Sequence, residues 1–199
     1  TQKEWNQYMK PANVSFVGDN LPVDNVSWMN IVRYCNARSE AEGLTAAYTI
    51  LGNTASSVTC NFKANGYRLP TEAEWEMAAK GGQLYTYSGS DDADEVAWYR
   101  ENSGRRYRTV GYQKKPNAYG IYDMTGNVAE WCWDWYSEEY PTSLTEFINP
   151  RGPATGTLKV IRGGSVNNGL GTNLSVVYRT KGNPAKGYPF VGFRIVRTY

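Results

Sequence analysis

The chain has 199 residues, of which 41% are hydrophobic and 20% charged, and carries a formal net charge of +2. That length supports one substantial core and is short for two. Its basic and acidic residues are interspersed, which argues against nucleic acid or an anionic membrane as partner, and the complete absence of histidine argues against zinc hydrolysis, facial-triad iron chemistry and any histidine-based triad.

Twenty glycines, 16 tyrosines and 7 tryptophans predict a loop-rich molecule whose bulk comes from aromatic side chains that keep a polar edge hydrated. The three cysteines, Cys35, Cys60 and Cys132, are odd in number and far apart, so they imply no disulfide framework; Cys35 on a helix face and Cys132 between tryptophans read as buried free thiols. No hydrophobic span or leader is visible. The chain opens abruptly at Thr1-Gln2-Lys3-Glu4-Trp5, a stretch that lies inside the domain of the family resembled below, and that resemblance implies that part of the natural N-terminus, with any targeting sequence, precedes it.

In chain order, Ser27 is placed to cap a helix with Trp28, Ile31 and Cys35 at helical spacing and Gly43 at its end. Residues Ala47 to Phe62 read as a hairpin around Asn53-Thr54-Ala55-Ser56-Ser57. Thr71 and Glu74 spell a capping box for a second helix, with Trp75 and Ala78 on its inner face. Gly81 to Pro116 is expected to be a long polar loop that its aromatics, Tyr85, Tyr87, Trp98, Tyr99 and Tyr107, pack onto the core.

The run from Asn117 to Trp135 is too irregular for a helix and too polar for a buried strand, and is expected to be a looped segment turning at Gly120 and Gly126. Trp131, Trp133 and Trp135 alternate and so share one side, which suits core packing better than a sugar platform. Carboxylates Asp123 and Glu130 about a tight glycine turn are what a hard cation wants. Leu158 to Arg162 and Val191 to Val196 read as strands bracketing the last loop-rich stretch.

Four of these stretches carry a family resemblance: Asn117 to Trp131, Gly66-Tyr67-Arg68-Leu69-Pro70-Thr71-Glu72-Ala73-Glu74-Trp75-Glu76, Val160-Ile161-Arg162-Gly163-Gly164-Ser165, and Gly192-Phe193-Arg194. In order and over nearly the whole chain they resemble the formylglycine-generating enzyme (sulfatase-modifying factor) family. The resemblance implies an α+β, C-type lectin fold with two helices, small antiparallel sheets and much irregular loop, in one domain over residues 1–199. The same fold serves enzymes and display scaffolds, so it does not by itself settle function.

The resemblance also implies a structural calcium site, since Asp123, Gly126, Val128 and Glu130 match a site in which two side chains and two backbone carbonyls hold the ion; the alternative is that both carboxylates bind nearby amides and no ion. It further implies where catalysis fails. The family's enzymes carry two copper-binding cysteines after Arg-Gly-Gly-Ser, whereas Ser165 is followed here by Val166-Asn167-Asn168-Gly169-Leu170-Gly171-Thr172-Asn173, with no cysteine beyond Cys132. Without thiolates there is neither a soft-metal site nor a redox nucleophile, so neither copper nor the oxidase reaction is expected.

Arg162-Gly163-Gly164-Ser165, Arg179, Pro184 and Gly192-Phe193-Arg194 stand as a fixed frame around a filling of small, polar and aromatic residues without period. In this the chain resembles the variable proteins of diversity-generating retroelements, with residues 160–199 as the candidate variable region. Adenine-directed change of asparagine codons reaches Val, Gly, Leu, Thr, Ser, Tyr and Phe. Every residue from Val166 to Asn173 lies in the reachable set, and Lys181 and Lys186 do not. The expected function is non-enzymatic ligand display, with Val166, Asn167, Asn168, Leu170, Thr172, Asn173, Tyr178, Thr180, Asn183, Tyr188 and Phe190 pointing outward; the alternative is a formylglycine-generating-type oxidase or related enzyme. The implied partner is an unidentified protein or cell-surface molecule. The implied setting is a monomer on a bacterial cell surface or envelope, lipid-anchored through the missing N-terminus.

Overall fold

The computed structural model describes residues 1–139 and 149–199. Helix α1 (Gln2–Tyr8) opens on a capping box not anticipated above: the Thr1 hydroxyl accepts the Glu4 N–H while the Glu4 carboxylate reaches back to Thr1. Helix α2 (Trp28–Ala41) starts where Ser27 Oγ accepts the Asn30 N–H, and fully buries Trp28, Ile31, Val32 and Cys35. Strands β1 (Tyr48–Ile50) and β2 (Val58–Cys60) form the expected hairpin. After β3 (Tyr67–Arg68), helix α3 (Glu72–Lys80) begins at the Thr71–Glu74 box and buries Trp75; Ala79, rather than Ala78, is its fully buried alanine.

The stretch expected to be one long loop is shorter on irregular backbone than its composition suggests, because helices α4 (Ala93–Val96) and α5 (Arg100–Ser103) lie within it. Tyr87, Tyr99 and Tyr107 are buried as expected, while Tyr85 stays at the surface.

The larger correction concerns the Asn117 to Trp135 run, whose second half is a buried strand, β4 (Ala129–Trp135), central to a four-stranded sheet. It pairs antiparallel with β5 (Lys159–Arg162) and parallel with β7 (Val191–Gly192), and β5 pairs antiparallel with β6 (Arg179–Gly182). Polarity argued against such a strand only because the carboxylates were counted without partners. On one face Trp131 is fully buried in the main core, with Trp133 and Trp135 partly buried against the same cluster. On the other, Glu130 accepts the Trp75 indole N–H at 2.7 Å, Cys132 joins a second cluster with Trp75 and Val160, and Asp134 accepts the Glu72 N–H at 2.7 Å. Each acid thus has its donor, and the strand can sit inside. Three fully buried tryptophans, Trp28, Trp75 and Trp131, each contribute about 4–6 kcal/mol of gross transfer free energy.

The strand expected over Val191 to Val196 is likewise two pieces: β7, and β8 (Val196–Arg197), which pairs with β3. Between them Phe193 packs edge-on against Trp5 and Tyr34, and Arg194 turns to Glu130. All three cysteines are free, Cys35 and Cys132 buried and Cys60 half-buried. No helix among the described residues is long and apolar enough to cross a membrane.

Candidate functional site

The candidate surface segment follows Arg162, and its main chain is gripped from outside. The fully buried Arg162 guanidinium bonds Glu72 at 3.2 Å and Glu76 at 2.5 Å, and donates to the carbonyls of Val176 at 2.9 Å and Val177 at 3.3 Å. Glu72, nearly as buried, also takes a two-pronged contact from Arg179 at 2.6 and 2.8 Å. At the near end the Val166 N–H donates to Asn127 O, and the Val176 N–H to Thr86 O. Helix α5 supplies the middle: the Arg100 N–H donates to Asn168 O at 2.9 Å, and Glu101 Oε2 accepts the Leu170 N–H at 3.3 Å. These bonds end on backbone atoms, so they do not depend on which side chains the segment carries.

The side chains divide accordingly. Asn167, Leu170 and Asn173 are exposed, Leu170 at 59%. Val166 overturns the outward expectation: it is fully buried with Tyr107 and Val128, because the backbone bond to Asn127 aims it into that cluster. Asn168 is half-buried, its Oδ1 accepting from Ser165 N and Oγ in a local turn. Leu174 and Val176, never proposed as surface, are the buried pegs that pin the loop. No local signal marks them, since Leu170 and Val177, equally apolar in the same stretch, are exposed. The Thr172 side chain lies outside the described ones.

Beyond the loop, Tyr178 and Thr180 are half-buried and Asn183 is exposed. Tyr188 and Phe190 are also corrections to the outward set. Tyr188 packs on Trp131 at 5.9 Å and its hydroxyl accepts the Asn183 N–H. Phe190 has φ +66°, its N–H donates to Asp24 Oδ2 and to Tyr107 Oη, and its ring stands edge-on to Tyr107. Asp24 is fully buried and takes bonds from Ser15, Tyr107 and Phe190. Neither Asp24 nor α5 was singled out from sequence, since their role exists only through contacts distant along the chain.

At the proposed cation loop, Gly126 has φ +80° and a methyl there would overlap Trp98 O, so glycine is required. Asp123, at φ +56°, accepts the Gly111 N–H on Oδ2, while its buried Oδ1 has no hydrogen-bond partner among the described residues. Burial pushes the Asp123 carboxyl above its ordinary value. Glu130, by contrast, has both oxygens engaged, by Arg194 Nε at 2.6 Å and Nη2 at 2.7 Å, with the Trp75 indole on one of them. Val128 is buried beside them. Asp123 thus offers one spare oxygen to an ion, while both Glu130 oxygens are engaged by the Arg194 fork.

Comparison with known proteins follows the same lines. The profile of the sulfatase-modifying factor enzyme 1-like domain matches residues 1–199. The chain is 38% identical to the chaperone protein LppX of Paenibacillus barcinonensis over 229 residues, covering 100% of this chain and 77% of that protein. It is 37% identical to the formylglycine-generating enzyme of Thermomonospora curvata over 147 residues, covering 65% of this chain and 48% of the enzyme. Among solved structures, Treponema denticola variable protein 1 superposes with a TM-score of 0.90 at 32% identity, covering 98% of this chain and 80% of that one.

Proposed function

From the premise that this chain belongs to the sulfatase-modifying factor enzyme 1-like domain family, with its C-type lectin fold, we propose that it is a non-enzymatic binding module that displays a retroelement-diversified surface. The observation that carries the reading is the attachment of residues 166–177 by main-chain atoms to Arg162, Arg100, Glu101, Thr86 and Asn127, which leaves Asn167, Leu170 and Asn173 free to differ without loss of the loop. Similarity to a variable protein supports it as well. Asparagine and small side chains adapt their hydrogen bonds to many partners, and tyrosine gives contact area at low entropic cost. We place the module at a bacterial envelope, facing a protein or cell-surface ligand. Sequencing the gene across isolates, with a search for a nearby near-copy of the segment, tests this; differences confined to Asn167, Leu170, Asn173 and Asn183 are expected, and an invariant segment without a near-copy would sink the reading.

Catalytic silence goes with it. Relatives include formylglycine-generating enzymes, but no cysteine follows Cys132, and that thiol is fully buried with its pKa pushed well up by burial. Incubation with copper, oxygen and a cysteine-containing sulfatase-type peptide is expected to give no formylglycine. Turnover above a no-protein control, lost in Cys132→Ser, would restore the oxidase alternative.

Calcium is a separate question, and its test is melting temperature in calcium against excess chelator. We propose that Asp123, Gly126, Val128 and Glu130 hold one calcium, so a higher melting temperature in calcium is expected, and equal temperatures from protein metal-free at the start would sink the reading. A calcium-dependent rise that Asp123→Asn abolishes would mean that the guanidinium gives way to the ion.

A further inference from the structure

From Gly163 to Tyr178 the chain carries no charged side chain, so any charge that the surface loop offers a ligand comes from its neighbours. The neighbour that grips its first half is the stretch Arg100-Glu101-Asn102-Ser103-Gly104-Arg105-Arg106-Tyr107-Arg108. Four positive charges less one negative give it a formal +3, against +2 for the whole chain. The Arg100 N–H is bonded to Asn168 O, and its guanidinium lies where a side chain at Gly169 would go. Tyr107 shares a buried cluster with Val166, and the Arg108 main chain exchanges hydrogen bonds with the Asn127 side-chain amide, while Asn127 O takes the Val166 N–H. After α5, Gly104 and Arg105 are both left-handed, at φ +63° and +59°, and the Ser103 carbonyl gathers the turn by accepting the Arg106 N–H and Arg108 Nη2. The stretch is therefore a compact rim beside Asn168 and Leu170.

Much of its charge is uncompensated. Arg100 is paired with Glu101 at 3.0 Å, but Arg105, Arg106 and Arg108 have no carboxylate within ion-pair distance among the described residues. The nearby acids are already taken. Glu101 holds Arg100 and the Leu170 N–H, Asp94 holds the Tyr99 hydroxyl and the Asn102 amide, and Asp24 holds Ser15, Tyr107 and the Phe190 N–H in a fully buried site. Two of the three arginines are steadied by aromatic faces instead, Arg106 at 5.5 Å over Phe16 and Arg108 at 5.1 Å over Trp98. A guanidinium held in this way keeps its charge and loses little freedom on binding, and its planar fork matches a carboxylate. Leu170, 59% exposed, stands beside this charge. A uniformly charged polymer gains nothing from a leucine, whereas a polypeptide meets both, with carboxylates and with apolar side chains.

Building on the display reading, we propose that Arg105, Arg106 and Arg108 form a fixed cationic rim that restricts the ligands of this surface to polypeptides presenting carboxylates, while Asn167, Leu170 and Asn173 choose among them.

A phage-displayed random peptide library selected on the protein at low salt is expected to yield binders enriched in Asp and Glu. Arg105→Gln/Arg106→Gln, at two exposed positions, should lose that enrichment and bind a wild-type-selected acidic peptide about tenfold more weakly. Lys10→Gln/Lys63→Gln, which removes as much charge elsewhere, should do neither. Should the arginine variant fail to fold, salt decides on the wild-type protein: its affinity for the acidic peptide must fall as salt is raised. Asn167→Ser/Leu170→Ser/Asn173→Ser distinguishes the rim from the diversified positions, and is expected to select different sequences that remain acidic. Unchanged acidic sequences from this variant would refute the display reading and leave the rim standing. Binders without acidic enrichment, enrichment that survives in the arginine variant, salt-insensitive affinity, or retention on heparin or phosphatidylserine vesicles without acidic binders would each overturn the rim.

Discussion

Glu72→Ala is expected to cost about 3 kcal/mol, because it leaves the fully buried Arg162 with Glu76 as its remaining carboxylate among the described residues and removes both hydrogen bonds that Arg179 makes to Glu72. Urea unfolding midpoints measure this. Glu76→Ala should cost less, since its side chain is 21% exposed and Glu72 remains to pair with Arg162. The loss in Glu72→Ala is the cost of buried charge left under-compensated rather than the net worth of the ion pairs, and an apolar replacement of the whole cluster at matched volume could be nearly neutral. Because Arg162 also holds the Val176 and Val177 carbonyls, hydrogen exchange at residues 166–178 should accelerate in the same variant. A change under about 1 kcal/mol would mean that the frame does not rest on this cluster, and the account of how the loop is anchored would fail with it.

Val166→Asn is the second large effect, at about 3 kcal/mol. It places an unpartnered amide in a fully buried site between Tyr107 and Val128. Changing Asn167, Leu170 and Asn173 together, to serine or tyrosine, should by contrast cost within about 0.5 kcal/mol each. The comparison separates display from packing inside one short segment. If the triple variant unfolds the domain while Val166→Asn is tolerated, the assignment of inside and outside is reversed and the recognition surface lies elsewhere. Phe190 belongs with Val166 here: its left-handed backbone is stabilised by Asp24 and Tyr107, so a β-branched replacement should be poorly tolerated where glycine or asparagine is accepted.

Local chemistry made much of the scaffold legible from sequence. Ser27 and the Thr71–Glu74 box each need only four consecutive residues to cap a helix, and the hairpin over Tyr48 to Cys60 is closed by its own turn. The alternation of Trp131, Trp133 and Trp135 likewise placed them on the core side without knowledge of their neighbours. The Arg-Gly-Gly-Ser and Gly-Phe-Arg segments carried the family, and with it the fold.

What sequence could not decide was who pairs with whom across long separations. Glu130 and Asp134 looked too polar for a buried strand because Trp75, Arg194 and the Glu72 amide, their donors, lie some 55 to 64 residues away. Nothing local likewise reveals the Arg194 guanidinium that covers Glu130. Outward and inward positions from Val166 to Phe190 were also beyond local reading: without regular secondary structure there is no period to assign faces, and only the bonds from Asn127, α5 and Asp24 determine which side chains turn in. Sequence alone thus determined the helices capped at Ser27 and Thr71, the hairpin and the family; tertiary structure decided which charges are partnered and which residues face outward, because burial and pairing are properties of the assembled neighbours and not of the residue types.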